Sequence, residues 1–343
     1  MLLHGAAPSV PALIASRLMH GVGAAFCSPV ASSLIADAFA PEQRGLAYSI
    51  YASGLYVGTA LAILASSASA FAGRAAVPGL QLGWRASAWV AGAVSALAAA
   101  ALILTVPEPQ RPATAVRTGG GEFGGALTGS ARSIRNVLGC RSALLALCAV
   151  AARLCAGYTI ISWFPAHCKA RFPVGECAFA ALYATAVCAG GVAASLLGGL
   201  ASDALGRRSD APNARALVPL VGSLLAAPLF LVAVTRSSLH GTMGWFFAHV
   251  LCSECWLGPT VATMLGSLPA DARGTAQGLF NFVQLGGGLL QVIIAPAAAR
   301  FGIGRALQVT VPVAYLASAA VFAALLRCGG DAPTPAAGAA LKF

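Results

Sequence analysis

Nine apolar runs, each long enough to cross the hydrocarbon core of a bilayer, take up most of the chain, and no other feature limits its fold so tightly. They lie near 12–37, 45–71, 85–106, 142–166, 177–200, 215–236, 242–267, 274–299 and 305–327. A spanning helix needs about 20 residues. Lipid offers no water to backbone N–H and C=O groups, so a spanning segment must satisfy them within itself. These runs are too long and uniform for barrel strands, which leaves helices. The composition agrees: 58% of residues are hydrophobic and 9% charged, whereas a soluble domain carries about a quarter charged residues. The expectation is an all-α, multi-pass integral membrane protein with about nine transmembrane helices.

Pro, Gly and Ser crowd the segment from Pro107 to Arg141, along with five arginines: Arg111, Arg117, Arg132, Arg135 and Arg141. It divides the chain into a three-helix part (1–106), a linker (107–141) and a six-helix part with a short tail (142–343). The linker's "TGGGEFGG" lacks the Gly-Lys-Ser/Thr ending of a phosphate loop and follows no strand, so it reads as flexible chain. With the linker in the cytoplasm and the sides alternating, 12 Lys and Arg residues fall on the cytoplasmic side and 7 on the other. The excess fits the positive-inside rule. The net charge of +11 is therefore read as a topology signal, with no nucleic-acid partner. The 10 cysteines are scattered and read as small hydrophobes. The Cys252–Cys255 pair is placed within an apolar helix. Near Met1 there is no charged n-region and no small-residue cleavage site, so no signal peptide is expected.

Two segments repeat. "RGLAYSIYASGLYVG" begins at Arg44 and "RGTAQGLFNFVQLGG" at Arg273. Arg, Gly and Ala match at the first, second and fourth places, and Gly58 matches Gly287. Each follows an acidic, Pro-containing turn, "DAFAPEQ" and "LPADA". The spacing suits two related bundles that carry the same unit, an arrangement found in secondary transporters. The two segments are expected to occupy equivalent places, with Arg44 and Arg273 on the same face of the membrane.

Further stretches resemble one family. "RLMHGVGAAFCSPVASSLIADAFAPEQRG" (17–45) is similar to the fourth helix and following loop of the major facilitator superfamily, with Arg17, Gly21 and Gly23 in its R-x-x-x-G-x-G pattern. "GWRASAWVAG" (83–92) resembles the start of the sixth helix. "GLASDALGRR" (199–208) resembles the G-x-x-x-D-x-x-G-R-R loop between helices eight and nine. Residues 256–288 look like helices ten and eleven, and "SWFPAHCKARF" (162–172) like helix seven, in the style of the spinster-like branch. The resemblance implies a helical bundle that begins near the family's fourth helix and is N-terminally incomplete against twelve. Ala24 stands where spinster-like members usually carry an acid.

Three charges lie inside spans: Arg17, Arg153 and Glu254. On the family scheme they fall on helices four, seven and ten, which line the central cavity. A charge at bilayer depth costs roughly 2.5–3.5 kcal/mol, so it tends to face a cavity and to find a partner. Glu254 and Arg153 are each near the middle of a span and are expected to pair. Three readings of Glu254 stay open: a structural ion pair, a substrate or proton role, or snorkelling. His20, His249 and Gln284 are weaker candidates, and Trp163 and Trp256 read as packing or interface aromatics. In the loop at Gly199, Asp203, Gly206, Arg207 and Arg208, the resemblance implies a latch that biases inward against outward states. Asp37 with Arg44, and Asp271 with Arg273, are expected to make comparable loop contacts.

These readings point to a secondary-active carrier working by alternating access, with the lipid bilayer, a small-molecule or lipid-like substrate and a proton or other coupling ion as partners. Two buried arginines against one acid favour an organic anion, and the branch resemblance implies a lysolipid-like amphiphile. The alternative is a truncated, non-transporting membrane paralogue that associates with a partner carrier. No nucleophile elbow, metal-ligand cluster or nucleotide loop is present, so neither an enzyme nor a cofactor is expected.

Overall fold

A computed structural model of the chain describes residues 1–40, 43–74, 83–105, 132–209, 211, 213–289 and 291–328, without the side chains of 36, 37, 69–74, 83, 270, 271, 285, 287–289 and 291–293. The regular elements among the described residues are all helical. They are α1 (Leu2–Ala6), α2 (Val10–Ala38), α3 (Arg44–Arg74), α4 (Gly83–Thr105), α5 (132–139), α6 (Arg141–Arg171), α7 (Glu176–Arg208), a 3-10 turn at Ala214–Ala216, α8 (Leu217–Thr235), α9 (Leu239–Ser253), α10 (Leu257–Gly266), α11 (Ala270–Leu289), α12 (Gln291–Phe301) and α13 (Ile303–Arg327).

Among the described residues seven helices are long and apolar enough, unbroken, to cross a bilayer: Val10–Ile35, Arg44–Ala68, Trp84–Thr105, Arg141–Arg171, Glu176–Arg208, Ala214–Thr235 and Ile303–Arg327. They match seven of the nine expected runs. The 274–299 run appears as α11 and α12 on either side of residue 290, which lies outside the described residues. The 242–267 run departs from expectation. It forms α9 and α10, separated by Glu254, Cys255 and Trp256, none of which is helical. Pro259 supplies the physical reason. It has no N–H for the carbonyl four residues earlier, Cys255, and its ring would collide with that carbonyl in a continuous helix. Near the start of a new helix the missing donor costs nothing, so α10 restarts at Leu257. Cys252 is therefore in the last turn of α9 and Cys255 in the break, and the two do not lie within one helix.

The contacts divide the chain into two units. One holds Met1–Cys27 with Ala62–Arg132, the other Ser28–Leu61 with Ser133–Phe343. In the first, α1 lies against α4. Gly5 leaves no room for a Cβ beneath the Trp89 ring, and a Cβ at Gly92 would come 2.7 Å from Leu2. His4 Nδ1 and Ser16 Oγ are 2.9 Å apart, and Arg85 Nη2 donates to the Ala7 carbonyl at 3.0 Å.

In the second unit α6 is central and packs against α13, α11 and α10. Its buried face carries Leu147, Val150 and Leu154, which meet Met264, Leu265, Phe280, Phe322 and Leu325. Gly302 (φ 85°) makes a one-residue corner between α12 and α13, in a backbone region that strains residues with a Cβ. The helix ends sort as alternating spans require. Cys140 Sγ donates to the Ser267 carbonyl, and Asn213 Nδ2 lies 3.2 Å from Ser142 Oγ and 3.0 Å from the Cys328 carbonyl. These residues mark the linker end of the unit. At the opposite end a Cβ on Gly304 would lie 3.0 Å from His167. Helices this apolar, crossing and recrossing, make an integral multi-pass membrane protein.

Candidate functional site

The break between α9 and α10 organises the site. A helix that stops inside lipid leaves carbonyls without donors, and each must find another partner. Arg153, from the middle of α6, takes the Ser253 carbonyl with Nη2 at 2.8 Å. A cation at a helix C-terminus also suits the helix dipole. The same Nη2 donates to Glu254 Oε1 at 2.6 Å, while Nη1 donates to the Tyr315 hydroxyl at 3.0 Å. The Arg153 guanidinium lies 4.7 Å from the centroid of the Tyr315 ring and 5.4 Å from that of Trp256. The expected pairing of Arg153 with Glu254 is thus present, and the arginine also caps the interrupted helix.

Glu254 is held on both oxygens. Ser253 Oγ donates to Oε1 at 3.2 Å. On Oε2 it receives Tyr56 OH at 2.8 Å and Trp256 Nε1 at 3.2 Å. The side chain of Arg153 is 2% exposed and that of Glu254 22%, so the carboxylate is the accessible partner. Behind the arginine, Tyr315 OH lies 3.3 Å from His249 Nε2, and His249 Nδ1 lies 3.0 Å from the Ala226 carbonyl. A carbonyl only accepts, so Nδ1 carries the proton and Nε2 accepts from Tyr315. This network joins α3, α6, α8, α9 and α13. Gly198 and Gly222 let the break sit close. A Cβ at Gly198 would lie 2.6 Å from the Cys255 carbonyl oxygen, and one at Gly222 would lie 2.5 Å from that of Cys252. Gly191 similarly has no room for a Cβ beneath the Tyr56 ring.

A second polar cluster lies at the linker end. Asp203, at the end of α7, accepts the backbone N–H of Gly45 at 3.0 Å and of Leu46 at 2.8 Å. These are orphan donors in the first turn of α3, satisfied by another helix. Arg215 lies 3.5 Å from Asp203 and stacks over Gly206. Arg207 and Arg208 are exposed, and the ion-pair contact with Asp203 is made by Arg215, which the 3-10 turn brings back. Along the same two helices Ser195 Oγ donates to the Ser49 carbonyl at 2.8 Å, and a Cβ on Gly199 would lie 2.6 Å from Ser49 Oγ. Replacing Asp203 with alanine strands both α3 N–H groups. It is expected to cost about 1–2 kcal/mol, read as a lower Tm of the purified protein, whereas Arg207→Ala should leave Tm unchanged.

The other sequence candidates are placed as follows. Arg17 and His20 lie on α2 in the first unit, and both are exposed. Gln284 is half-buried on α11. Arg44 Nε donates to the Phe39 carbonyl at 3.1 Å and Arg273 Nε to the Leu265 carbonyl at 3.2 Å. Each repeat arginine thus reaches back to the end of the helix before it. Both sit at the linker end of the second unit, Arg44 beside the Asp203 contact and Arg273 near Ser267. The side chains of Asp37 and Asp271 lie outside the described residues. The sequence reading missed Tyr56, Tyr315 and Arg215 and gave Trp256 a packing or interface role. Tyr56 lay within the repeat segment, but nothing in the pattern tied it to a residue 198 positions away. Among the described residues no His, Cys, Asp and Glu cluster could hold a metal ion.

Comparison with known proteins gives the following. The family model described as Major Facilitator Superfamily matches residues 1–292. The chain is 26% identical over 285 residues to an MFS-type efflux pump of Mycolicibacterium smegmatis, covering 82% of this chain and 61% of the pump. It is 32% identical over 104 residues to the MFS antiporter QDR3 of Candida albicans, covering 30% of this chain and 14% of the antiporter. The match thus spans about three fifths of the mycobacterial relative's length and much less of the yeast one's. The fold resembles that of a bacterial homologue of the human lysosomal transporter Spinster, solved inward-facing and unoccupied. The TM-score is 0.59 at 20% identity, covering 95% of this chain and 78% of that one. Against the same homologue inward-facing and occupied, the TM-score is 0.54 at 20% identity, covering 95% and 77%. At this identity the likeness is one of fold.

Proposed function

The chain belongs to the Major Facilitator Superfamily, and from that premise we propose that it acts as a secondary-active carrier by alternating access, moving an organic anion or a lysolipid-like amphiphile with a proton as the coupling ion. One observation carries the reading: a buried arginine and a partly exposed carboxylate pair at the break of a membrane helix, 2.6 Å apart. An ionisable pair inside a span is costly and marks a transport path by default. Backbone that leaves the helix at membrane depth is tolerated where it is enclosed by protein or lines a cavity. The relatives, an efflux pump and an antiporter, support the reading.

The Asp203 cluster supplies the conformational side of the proposal. A carboxylate that accepts two N–H groups from another helix stabilises whichever state keeps the two helices in contact. Asp203→Asn keeps the shape and removes the charge. It is expected to shift the inward–outward balance more than it harms folding, and Arg215→Ala should shift it the same way. Thiol labelling of cysteines placed along α3 and α7 reads that balance. Unchanged labelling with normal yield would reduce the cluster to a topology signal.

Uptake into proteoliposomes tests the transport reading. Glu254→Gln keeps the shape and one acceptor oxygen but cannot exchange a proton. It should fold, lose uptake driven by a pH gradient, and retain exchange of substrate against substrate. A variant that matches the wild type in both assays would refute Glu254 as the coupling residue.

A further inference from the structure

Four donors converge on the two oxygens of Glu254: Arg153 Nη2 and Ser253 Oγ on Oε1, Tyr56 OH and Trp256 Nε1 on Oε2. None of the four requires the carboxylate to be the protein's own. Three observations show that Glu254 is the member built to leave. Its side chain is 22% exposed, against 2% for Arg153. It stands on the non-helical stretch 254–256, so it can swing away without dragging a helix. Its departure leaves the guanidinium anchored, because Arg153 also holds the Ser253 carbonyl and the Tyr315 hydroxyl. Arg153 has a donor in reserve as well: its Nε is buried with no hydrogen-bond partner among the described residues.

We propose that Glu254 occupies a carboxylate-binding site, and that a carboxylate-bearing organic substrate takes its place on Arg153 while Glu254 leaves with one proton. This rests on the carrier reading above and narrows its substrate class. The charges balance. Before exchange the pair is neutral, Arg153 cationic and Glu254 anionic. Afterwards the substrate carboxylate neutralises Arg153, and Glu254, having bound a proton from water, is uncharged. No covalent bond forms or breaks apart from that O–H. Without the proton the site would hold two anions against one cation, which a buried site tolerates poorly.

The donor set selects the ligand. Two acceptor oxygens, four donors and one cation fit a planar monoanion. A phosphate monoester brings a third oxygen and close to a second charge. The ionisable groups around Glu254 are Tyr56 from α3, Arg153 from α6, Tyr183 from α7, His249 from α9 and Tyr315 from α13, with Cys255 beside it. Arg153 is the one permanent cation in that set. His249 already has both ring nitrogens matched in its neutral form, one by a carbonyl and one by a hydroxyl, so it supplies no second charge.

The test uses the full chain, purified in detergent, with cyclohexanecarboxylate and cyclohexyl phosphate as soluble probes. Binding is followed by tryptophan fluorescence. Proton uptake is measured calorimetrically in two buffers of different ionisation enthalpy. The wild type should take up close to one proton per carboxylate bound and should bind the phosphate more weakly. Glu254→Gln, which removes the competing charge permanently, should bind the carboxylate about tenfold tighter with no proton uptake. The double variant Glu254→Gln with Arg153→Met should not bind it. Wild-type binding without proton uptake overturns the proposal, as does absence of binding, equal affinity for both probes, or binding that survives loss of Arg153. Should Glu254→Gln fail to fold, the wild-type proton count decides alone. Carboxylate binding without uptake into proteoliposomes would instead sink the carrier reading and leave the site standing. Uptake of a neutral or cationic solute with no carboxylate binding would do the reverse.

Discussion

Arg153→Met should lower the stability of the purified protein by about 3–5 kcal/mol, the range for breaking one side of a buried ion pair. The loss has two sources. Glu254 would keep its neutral donors but lose its cation, leaving a carboxylate stranded at membrane depth. The Ser253 carbonyl, at the end of α9, would lose the Nη2 that caps it at 2.8 Å. Methionine fills much of the same volume, so a cavity contributes little. Folded yield and Tm by size exclusion after stepwise heating read the effect. Adding Glu254→Met in the same chain should restore part of the loss, because two apolar residues of similar size replace a buried pair at little net cost. No recovery in the double variant would place the stability in the helix cap and not in the pair.

The other large effect is expected at Gly222. A methyl group there would lie 2.5 Å from both the Cys252 carbonyl oxygen and Cys255 Sγ. The oxygen belongs to backbone, which cannot turn aside as a flexible side chain does. Gly222→Ala should therefore push the break away from α8, at a cost of about 1–3 kcal/mol. Gly198→Ala should act alike from the α7 side. Gly244→Ala is the control: a Cβ there meets nothing within 4 Å, so alanine's better helix propensity, worth up to about 1 kcal/mol, goes unopposed. The three variants, compared by Tm, separate crowding at the break from a general sensitivity to glycine replacement. Equal losses at all three positions would refute the packing argument.

The spans and the central pair were legible in the sequence for the same reason: lipid penalises charge so heavily that one acid and one arginine near mid-span had few alternatives to meeting. The break beside that acid was not read. Hydropathy registers side chains, whereas the interruption comes from a backbone donor that Pro259 lacks. The sign was present in "CWLGP", since a proline inside an apparent span frees the carbonyl four residues back. Tyr56 and Tyr315 escaped because a tyrosine within an apolar run looks like packing until the fold brings a charge to it. The loop motif drew attention to Asp203, whose ion pair is made with Arg215, a residue outside the motif. Arg207 and Arg208 follow Asp203 closely, but α7 continues through them and they face outward. Arg215 returns only because of a turn near Asn213 that no local pattern announces.

The hold of Asp203 on α3 has a genetic consequence. Its partners are two peptide N–H groups, which every residue but proline provides, so the contact recognises the beginning of a helix and is blind to the letters written there. In a library of all single substitutions sorted for folded protein, position 46 should drift widely and exclude proline. Position 203 should stay acidic. Position 45 should keep glycine, because a Cβ there would fall 2.5 Å from Asp203 Oδ1. The contact leaves the spelling free at position 46 across generations, and fixes it at 45 and 203.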